Sequence, residues 1–317
     1  MYWTSWFLAA LAVVLAWPVP VFLARATWPA RAPFAAMVLW QSIALAGGLS
    51  MIGAMLCYGL VPLGNNLASG LRGLVRIFLG TESLDTLGLI HAFALSAAAL
   101  LSAHLVFTLW LTYFRIQQQR RRHRDLLNIL SSPSNDRPGT VVINHQAPVA
   151  YCLPGGSRSV TVLSDGLLEL LSPEELRAVL LHEQTHLTQH HHLLLWAFAA
   201  WRSALPWLPT SKLAQRAVSS LIEIMADDVA LRSVSKSTLV TAIALVASGS
   251  AQLPAAALVQ DSSAQIDTPA TTSARLSRLL TPAPSLGAGL QALIVVGALL
   301  LLAVPTALLV VPGILPQ

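Results

Sequence analysis

Charge is scarce in this sequence: 10% of its 317 residues are Asp, Glu, Lys or Arg, against 55% hydrophobic ones. With a strongly positive mean hydropathy, that balance lies outside the range of ordinary soluble domains and agrees with a membrane protein. Cysteine is nearly absent too. Cys57 falls in a long apolar run and Cys152 in an expected strand, so no disulfide framework is implied and neither spacing suits a metal. Cys152 reads as a small core residue. The net charge of +5 does not describe a basic face, because five of the nineteen basic residues crowd into residues 115–124. Direct nucleic-acid binding is therefore not expected. No repeat period is visible. No lysine or arginine precedes Arg25, so the basic leading region of a signal peptide is missing. Ala24-Arg25-Ala26 resembles a cleavage site, but the first apolar run is expected to stay as a membrane span.

Long apolar runs are what the chain has in place of charge. Residues 3–24, 32–63, 88–114 and 286–311 are each long enough to cross a bilayer, which takes ~20 residues. Gly47, Gly48 and Gly53 in the second run would let helices approach closely. Between the second and third, Leu67, Leu71, Leu74 and Phe78 form a short amphipathic stretch suited to a membrane surface. The arginines of residues 115–124 follow the third run directly and suit anionic lipid. Positive flanks stay cytoplasmic, which would place the N- and C-termini outside and the intervening domain inside. The expected domains are 1–114 with three spans, 115–285 as a cytoplasmic domain, and 286–317 as the fourth span with a short tail. Residues 131–139 read as a polar linker. Residues 193–208 and 238–259 are apolar as well, but Arg202 and Pro206 interrupt the first, and Gly249, Ser250, Gln252 and Pro254 the second. Both read as buried helices, with Trp196, Trp201 and Trp207 near the bilayer interface. Residues 260–284 read as a loop around a short helix near Arg275 and Arg278, whose role the sequence leaves open.

The chemistry sits in Leu181-His182-Glu183-Gln184-Thr185-His186. Ser172-Pro173-Glu174-Glu175 supplies a capping serine, a proline at the first helical position and a capping-box glutamate. Leu176, Val179, Leu180, Leu181 and Leu187 continue at helical spacing. On that helix His182 and His186 lie about 6 Å apart along the axis and face one way, the spacing two imidazoles need to grip one metal ion. Glu183, beside the first of them, would reach a water at that metal. Catalytic zinc takes three protein ligands and leaves a fourth position open. Glu223, on a later helix, is the natural third donor. Asp227, one turn on, could accept the spare ring N–H of a bound histidine, while Asp228 points elsewhere and reads as solvated. Upstream, residues 149–153 and 159–163 read as two strands joined by a Pro154-Gly155-Gly156 turn.

The order strand, Pro-Gly-Gly turn, strand, Ser164-Asp165-Gly166-Leu167-Leu168, Ser172-Pro173-Glu174-Glu175-Leu176, His-Glu-x-x-His, Glu-x-x-x-Asp resembles the membrane-embedded gluzincin peptidases. The resemblance spans about residues 139–235 and reaches two branches. One is the BlaR/MecR-type sensor-transducer peptidases; the other is the HtpX-type membrane peptidases with their CAAX prenyl protease relatives. It implies an α-helical integral membrane protein with a small α+β metallopeptidase domain inserted between the third and fourth transmembrane helices. It also implies one Zn2+ per chain on His182, His186 and Glu223, with Glu183 as general base and Asp227 behind the ligands. The span layout is similar to the BlaR/MecR branch, although the Ser-x-x-Lys motif of its C-terminal penicillin-binding sensor domain has no place here. The expected partners are the lipid bilayer and an extended peptide lying along residues 159–163, such as a segment of a BlaI/MecI-like cytoplasmic repressor. Quality control of membrane proteins, and a non-catalytic transducer with a structural metal, are the other readings. His190, in His190-His191-His192, would continue the His182/His186 face, with a second metal or a proton relay conceivable; a polar helix end is the plainer reading. His91 and His104 in the third span receive no role.

Overall fold

The computed structural model describes residues 1–133, 139–155, 159–251, 269–281 and 283–314. In chain order the elements are α1 (Tyr2–Ala16), α2 (Pro18–Arg25), α3 (Pro33–Gly59), α4 (Leu67–Phe78) and α5 (Leu89–Leu130). Four strands follow, β1 (Ser131–Pro133), β2 (Thr140–Ile143), β3 (Ala150–Leu153) and β4 (Val160–Ser164). After them come α6 (Asp165–Leu170), α7 (Pro173–Thr188), α8 (His191–Ala204), α9 (Pro209–Ala230), α10 (Lys236–Ala251), α11 (Pro269–Leu280) and α12 (Ala288–Ile314). The chain is thus mostly helical with one small sheet. It divides into two compact units, one of Met1–Trp110, Phe198–Val218 and Leu286–Gln317, the other of Leu111–Ala197 and Ser219–Ser285.

The first unit is built on apolar helices. Four stretches among the described residues are long and apolar enough to cross a membrane: Tyr2–Arg25, Pro33–Gly59, Leu89–Leu130 and Ala288–Val311. All four coincide with the runs expected from sequence, though α5 continues as helix to Leu130 rather than ending near residue 114. α3 packs against both α1 and α12, and Leu8, Ala54 and Cys57 meet Leu308 and Leu309. Gly53 permits that approach, since a Cβ there would lie 3.1 Å from Leu8 and Leu309. Gly48 does the same for the Trp201 ring, which a Cβ would meet at 2.8 Å. The break at Trp17 between α1 and α2 has a chemical cause. Pro20 has no N–H for the Ala16 carbonyl, and the Thr210 hydroxyl takes its place, 2.5 Å from Ala16 O and 3.0 Å from Leu15 O. The amphipathic stretch forms α4, with Asn66 and Ser69 making a capping box.

The second unit holds the sheet, in the order β1-β2-β4-β3. β2 and β4 run parallel, while β1 and β3 flank them antiparallel. Two readings are corrected here. Residues 131–133 are not linker but an edge strand paired with β2, itself unseen in the sequence; residues 134–138 lie outside the described residues. β4 has a neighbour on each side, so it offers no free edge to an extended peptide; the outer strand on that side is β3. Leu127 near the end of α5 packs with Leu153 and Val162, which ties the helix to the sheet. Gly166 opens α6 where no side chain fits, as a Cβ would lie 1.9 Å from Gln146 O. Gly156 of the expected turn and residues 252–259 of the second apolar run lie outside the described residues.

At 14 residues α8 is too short to cross a bilayer, while α10 is described over 16 residues, up to Ala251 where the described residues break off. α10 packs on α7 and α11 through Ala178, Leu239, Ala242, Ile243 and Leu279. Of the three tryptophans assigned to the bilayer interface, Trp201 lies against Gly48 and Trp196 edge-on to Tyr113, leaving Trp207 as the exposed one.

Candidate metal centre

α7 begins where the sequence says it should. The Ser172 side chain accepts from Glu175 N–H, and the Glu175 carboxylate accepts from Ser172 N–H at 2.8 Å. Such a reciprocal cap fixes the helix start and therefore the rotation of everything downstream. It leaves His182 buried and His186 half-buried, one turn apart, with α9 bringing Glu223 and Asp227 to meet them.

Three donors converge. His182 Nε2 lies 3.1 Å from His186 Nε2 and 3.1 Å from Glu223 Oε2, and His186 Nε2 lies 3.6 Å from Glu223 Oε1. A tetrahedral ion bound at ~2.0–2.1 Å holds its ligands ~3.3–3.4 Å apart. The three atoms are thus spaced as a zinc-sized ion requires, and two imidazoles with one carboxylate are a donor set zinc takes. Among the described residues they form the one such group of His, Cys, Asp and Glu. Behind them His182 Nδ1 lies 2.9 Å from Asp227 Oδ1. If His182 donates its Nδ1–H there, the Nε2 lone pair points into the site.

Arg275 completes the arrangement and went unassigned in the sequence. Its guanidinium donates twice to Asp227, Nε to Oδ2 at 2.8 Å and Nη2 to Oδ1 at 2.7 Å, while Nη1 lies 3.3 Å from Glu223 Oε2. The side chain is 6% exposed, so α11 delivers a buried cation to two buried carboxylates. Asp228, read as merely solvated, is instead held by Arg278 through bonds of 2.7 and 3.0 Å. Arg275 and Arg278 are three apart on one face of α11, but nothing local pairs them with Asp227 and Asp228, which lie 48–50 residues earlier on α9.

The electrostatics follow from burial and neighbours. Burial disfavours a charged His182 ring, but hydrogen bonds to Asp227 and Glu223 outweigh it and push the pKa up to about 10. His186 goes the other way, down to about 3, through burial and then the charge of His182. Burial raises Glu223 and Asp227, yet His182 and Arg275 pull both below the usual carboxylate range. In the metal-free site His182 therefore carries the proton that a metal would displace.

The histidine run after α7 is also corrected. His190 does not continue the His182/His186 face, because α7 ends at Thr188 and His190 turns the chain with φ of 52°. The next residue, His191, is the one carried back to the site, buried and with Nδ1 3.1 Å from His186 Nδ1. Glu183 is half-buried near β3. Burial pushes the Cys152 thiol on that strand up to about 11; a hydrogen bond to Thr161 opposes the shift, and the Glu183 carboxylate adds to it. Tyr151, unassigned from sequence, lies with its hydroxyl 2.6 Å from His123 Nε2.

The family model of Peptidase family M48 matches residues 116–205, which takes in α7 and both histidines and stops short of Glu223. No curated protein matches the chain. A match to this family indicates a metallopeptidase and, with four apolar helices of membrane-spanning length, a membrane metallopeptidase. Metallopeptidases of this family use a metal, typically zinc.

Proposed function

We propose that this chain is an integral membrane zinc endopeptidase with a cytoplasmic catalytic domain between its third and fourth spans, cutting flexible segments of cytoplasmic proteins. His182, His186 and Glu223 hold the ion, and Glu183 is the general base. The observation that carries the reading is the convergence of those three donors at zinc spacing, with Glu183 on the same helix and next to β3. Zinc bound there supplies Lewis acidity toward the scissile carbonyl and makes water acidic, with a pKa of about 7.

The chain's own groups do the rest. Asp227 fixes the His182 ring, and Arg275 helps hold Asp227 and Glu223 ionised. Glu183 takes a proton from the attacking water on its carboxylate and returns it to the leaving nitrogen. An extended substrate segment pairs by main-chain hydrogen bonds with the outer edge of β3, the strand whose Cys152 senses the Glu183 charge. That mode admits unfolded or flexible segments and refuses folded ones. A linker in a transcriptional repressor meets the requirement. The unbroken α5, apolar at its start, arginine-rich in residues 115–124 and followed at once by β1, suits a receptor-type input to the catalytic sheet.

The test compares new protein termini in cells carrying the wild type or Glu183→Gln. A few Glu183-dependent cuts, including one in a cytoplasmic repressor, support the proposal. Broad cutting of damaged membrane proteins replaces signalling with quality control, and no Glu183-dependent cut at all overturns the hydrolase. On a purified substrate, Glu183→Gln is expected to lower kcat/KM by ~10²–10⁴-fold, the usual worth of acid–base catalysis, without releasing zinc.

A further inference from the structure

The two imidazoles of the site are held from behind by different chemistry. His182 Nδ1 faces a carboxylate, Asp227 Oδ1, at 2.9 Å. His186 Nδ1 faces another imidazole, His191 Nδ1, at 3.1 Å, with the rings nearly perpendicular at 78°. The far nitrogen of His191, Nε2, lies 2.9 Å from Gln189 Oε1. His191 is 1% exposed although it opens a helix, and the left-handed turn at His190 is what brings it back to α7. A non-glycine residue rarely takes that conformation, so its presence marks a position held by its surroundings.

We propose that His191 is a positioning residue for the metal site, fixing His186 in the tautomer that presents Nε2 to the ion; this rests on the zinc reading above. The proton assignment runs from the outside inward. An amide oxygen only accepts, so His191 must carry its proton on Nε2 and donate it to Gln189 Oε1. A neutral His191 then has a bare Nδ1, which can only accept. His186 must therefore donate through Nδ1–H, and its lone pair is left on Nε2, the atom that faces His182 and Glu223. Reversing any link sets two lone pairs or two hydrogens against each other at about 3 Å. Gln189, His191 and His186 thus form a neutral chain that selects one ring orientation without adding charge. This differs from the Asp227 support of His182, which Arg275 already balances. Partners that hold a metal-bound histidine in this way are typically worth ~10–100-fold in metal affinity.

The experiment measures zinc affinity of the full-length chain in detergent by chelator competition, together with the visible spectrum of the Co2+-loaded protein. His191→Leu fills the space and removes the acceptor; it is expected to weaken zinc by ~10–100-fold and to alter the Co2+ spectrum. His191→Asn places an amide oxygen near the Nδ1 position and is expected to recover most of both. Gln189→Leu, which leaves His191 in place, is expected to show a smaller loss. Unchanged affinity and spectrum in His191→Leu would overturn the proposal, as would an Asn variant no better than the Leu one, which would make the role mere packing. Should His191→Leu not fold, unchanged affinity in Gln189→Leu overturns it instead. His186→Ala separates the two levels. If it binds zinc as tightly as the wild type, the metal reading itself fails; if it loses zinc while His191→Leu keeps it, only the His191 role fails.

Discussion

His104 in the first unit and His182 in the second each lie beside an oxygen acceptor, and the acceptors differ in kind. His104 Nε2 is 3.0 Å from the Ala204 carbonyl, a neutral backbone group, and His91 stacks flat on Tyr58 with ring centroids 5.1 Å apart. His182 lies between two carboxylates, with a second imidazole and a guanidinium also within hydrogen-bonding reach. Buried polar side chains of the first unit bond to the backbone, as Thr210 does for the carbonyls freed near Pro18 and Pro20, while its side-chain pairs Arg76–Glu82 and Arg202–Gln215 are exposed. In the second unit the buried ionisable side chains around His182 bond to one another. Where the surroundings are apolar, a lone polar group is safest on a main-chain partner. A cluster of buried ionisable groups must instead balance its own charges, and that balance is what makes a metal site possible.

Removing the balancing cation should have the largest effect. Arg275→Met keeps the bulk and leaves Asp227 and Glu223 buried without their partner. Breaking a buried pair in this way costs about 3–5 kcal/mol, read as a lower denaturation midpoint of the metal-free protein, with zinc recovering part of it. A change below 1 kcal/mol would mean that the acids do not need the arginine.

The second test is pH. Below pH 6.5 a folded His182 with pKa near 10 is protonated in both states and its stabilisation is fully present; it is lost as pH rises from 6.5 through about 10. His186 and His191, lowered to about 3 and about 4, act oppositely, since the unfolded chain gains protons below 6.5 that the folded one refuses. Thermal stability without metal should therefore peak near pH 6.5 and fall on both sides. Saturating zinc, which takes the proton's place on His182, should flatten the alkaline side. A metal-free profile flat from pH 6 to 9 would contradict the arrangement.

Thr210→Val should matter least. It strips a hydroxyl from two carbonyls at the α1–α2 break and should cost about 1–3 kcal/mol, the penalty of unsatisfied buried groups, while leaving zinc affinity unchanged. A loss of zinc in this variant would erase the contrast between the two units.

The sequence made some of this plain and hid the rest for identifiable reasons. The α7 cap, the His182/His186 spacing and Glu223 were legible because helical period and capping chemistry are local. The four apolar runs were legible from composition, but not where α5 ends, since arginines and glutamines are good helix formers and continue the rod to Leu130. β1 and β2 are short and lack the Pro-Gly-Gly turn that marks the equally short β3, and β1 ends on a proline, which the sheet tolerates only at an edge. With β2 unseen, β4 reads as an edge open to an extended peptide; in the sheet it is central, and the outer strand on that side is β3. Helical spacing carried past Thr188 puts His190 on the His182/His186 face; the left-handed turn at His190, which that spacing does not announce, brings His191 there instead. Arg275 lay far along the chain, and only the fold brings it to Asp227.

The central claim is that His182, His186 and Glu223 hold one ion together, and metal content tests it most directly. The full-length protein, purified in detergent without added chelator, should carry about one zinc per chain, as should Glu183→Gln. Glu223→Ala should carry much less, and His182→Ala less still. Stoichiometric zinc retained in Glu223→Ala, or none in the wild type after saturation with Zn2+, would contradict the account.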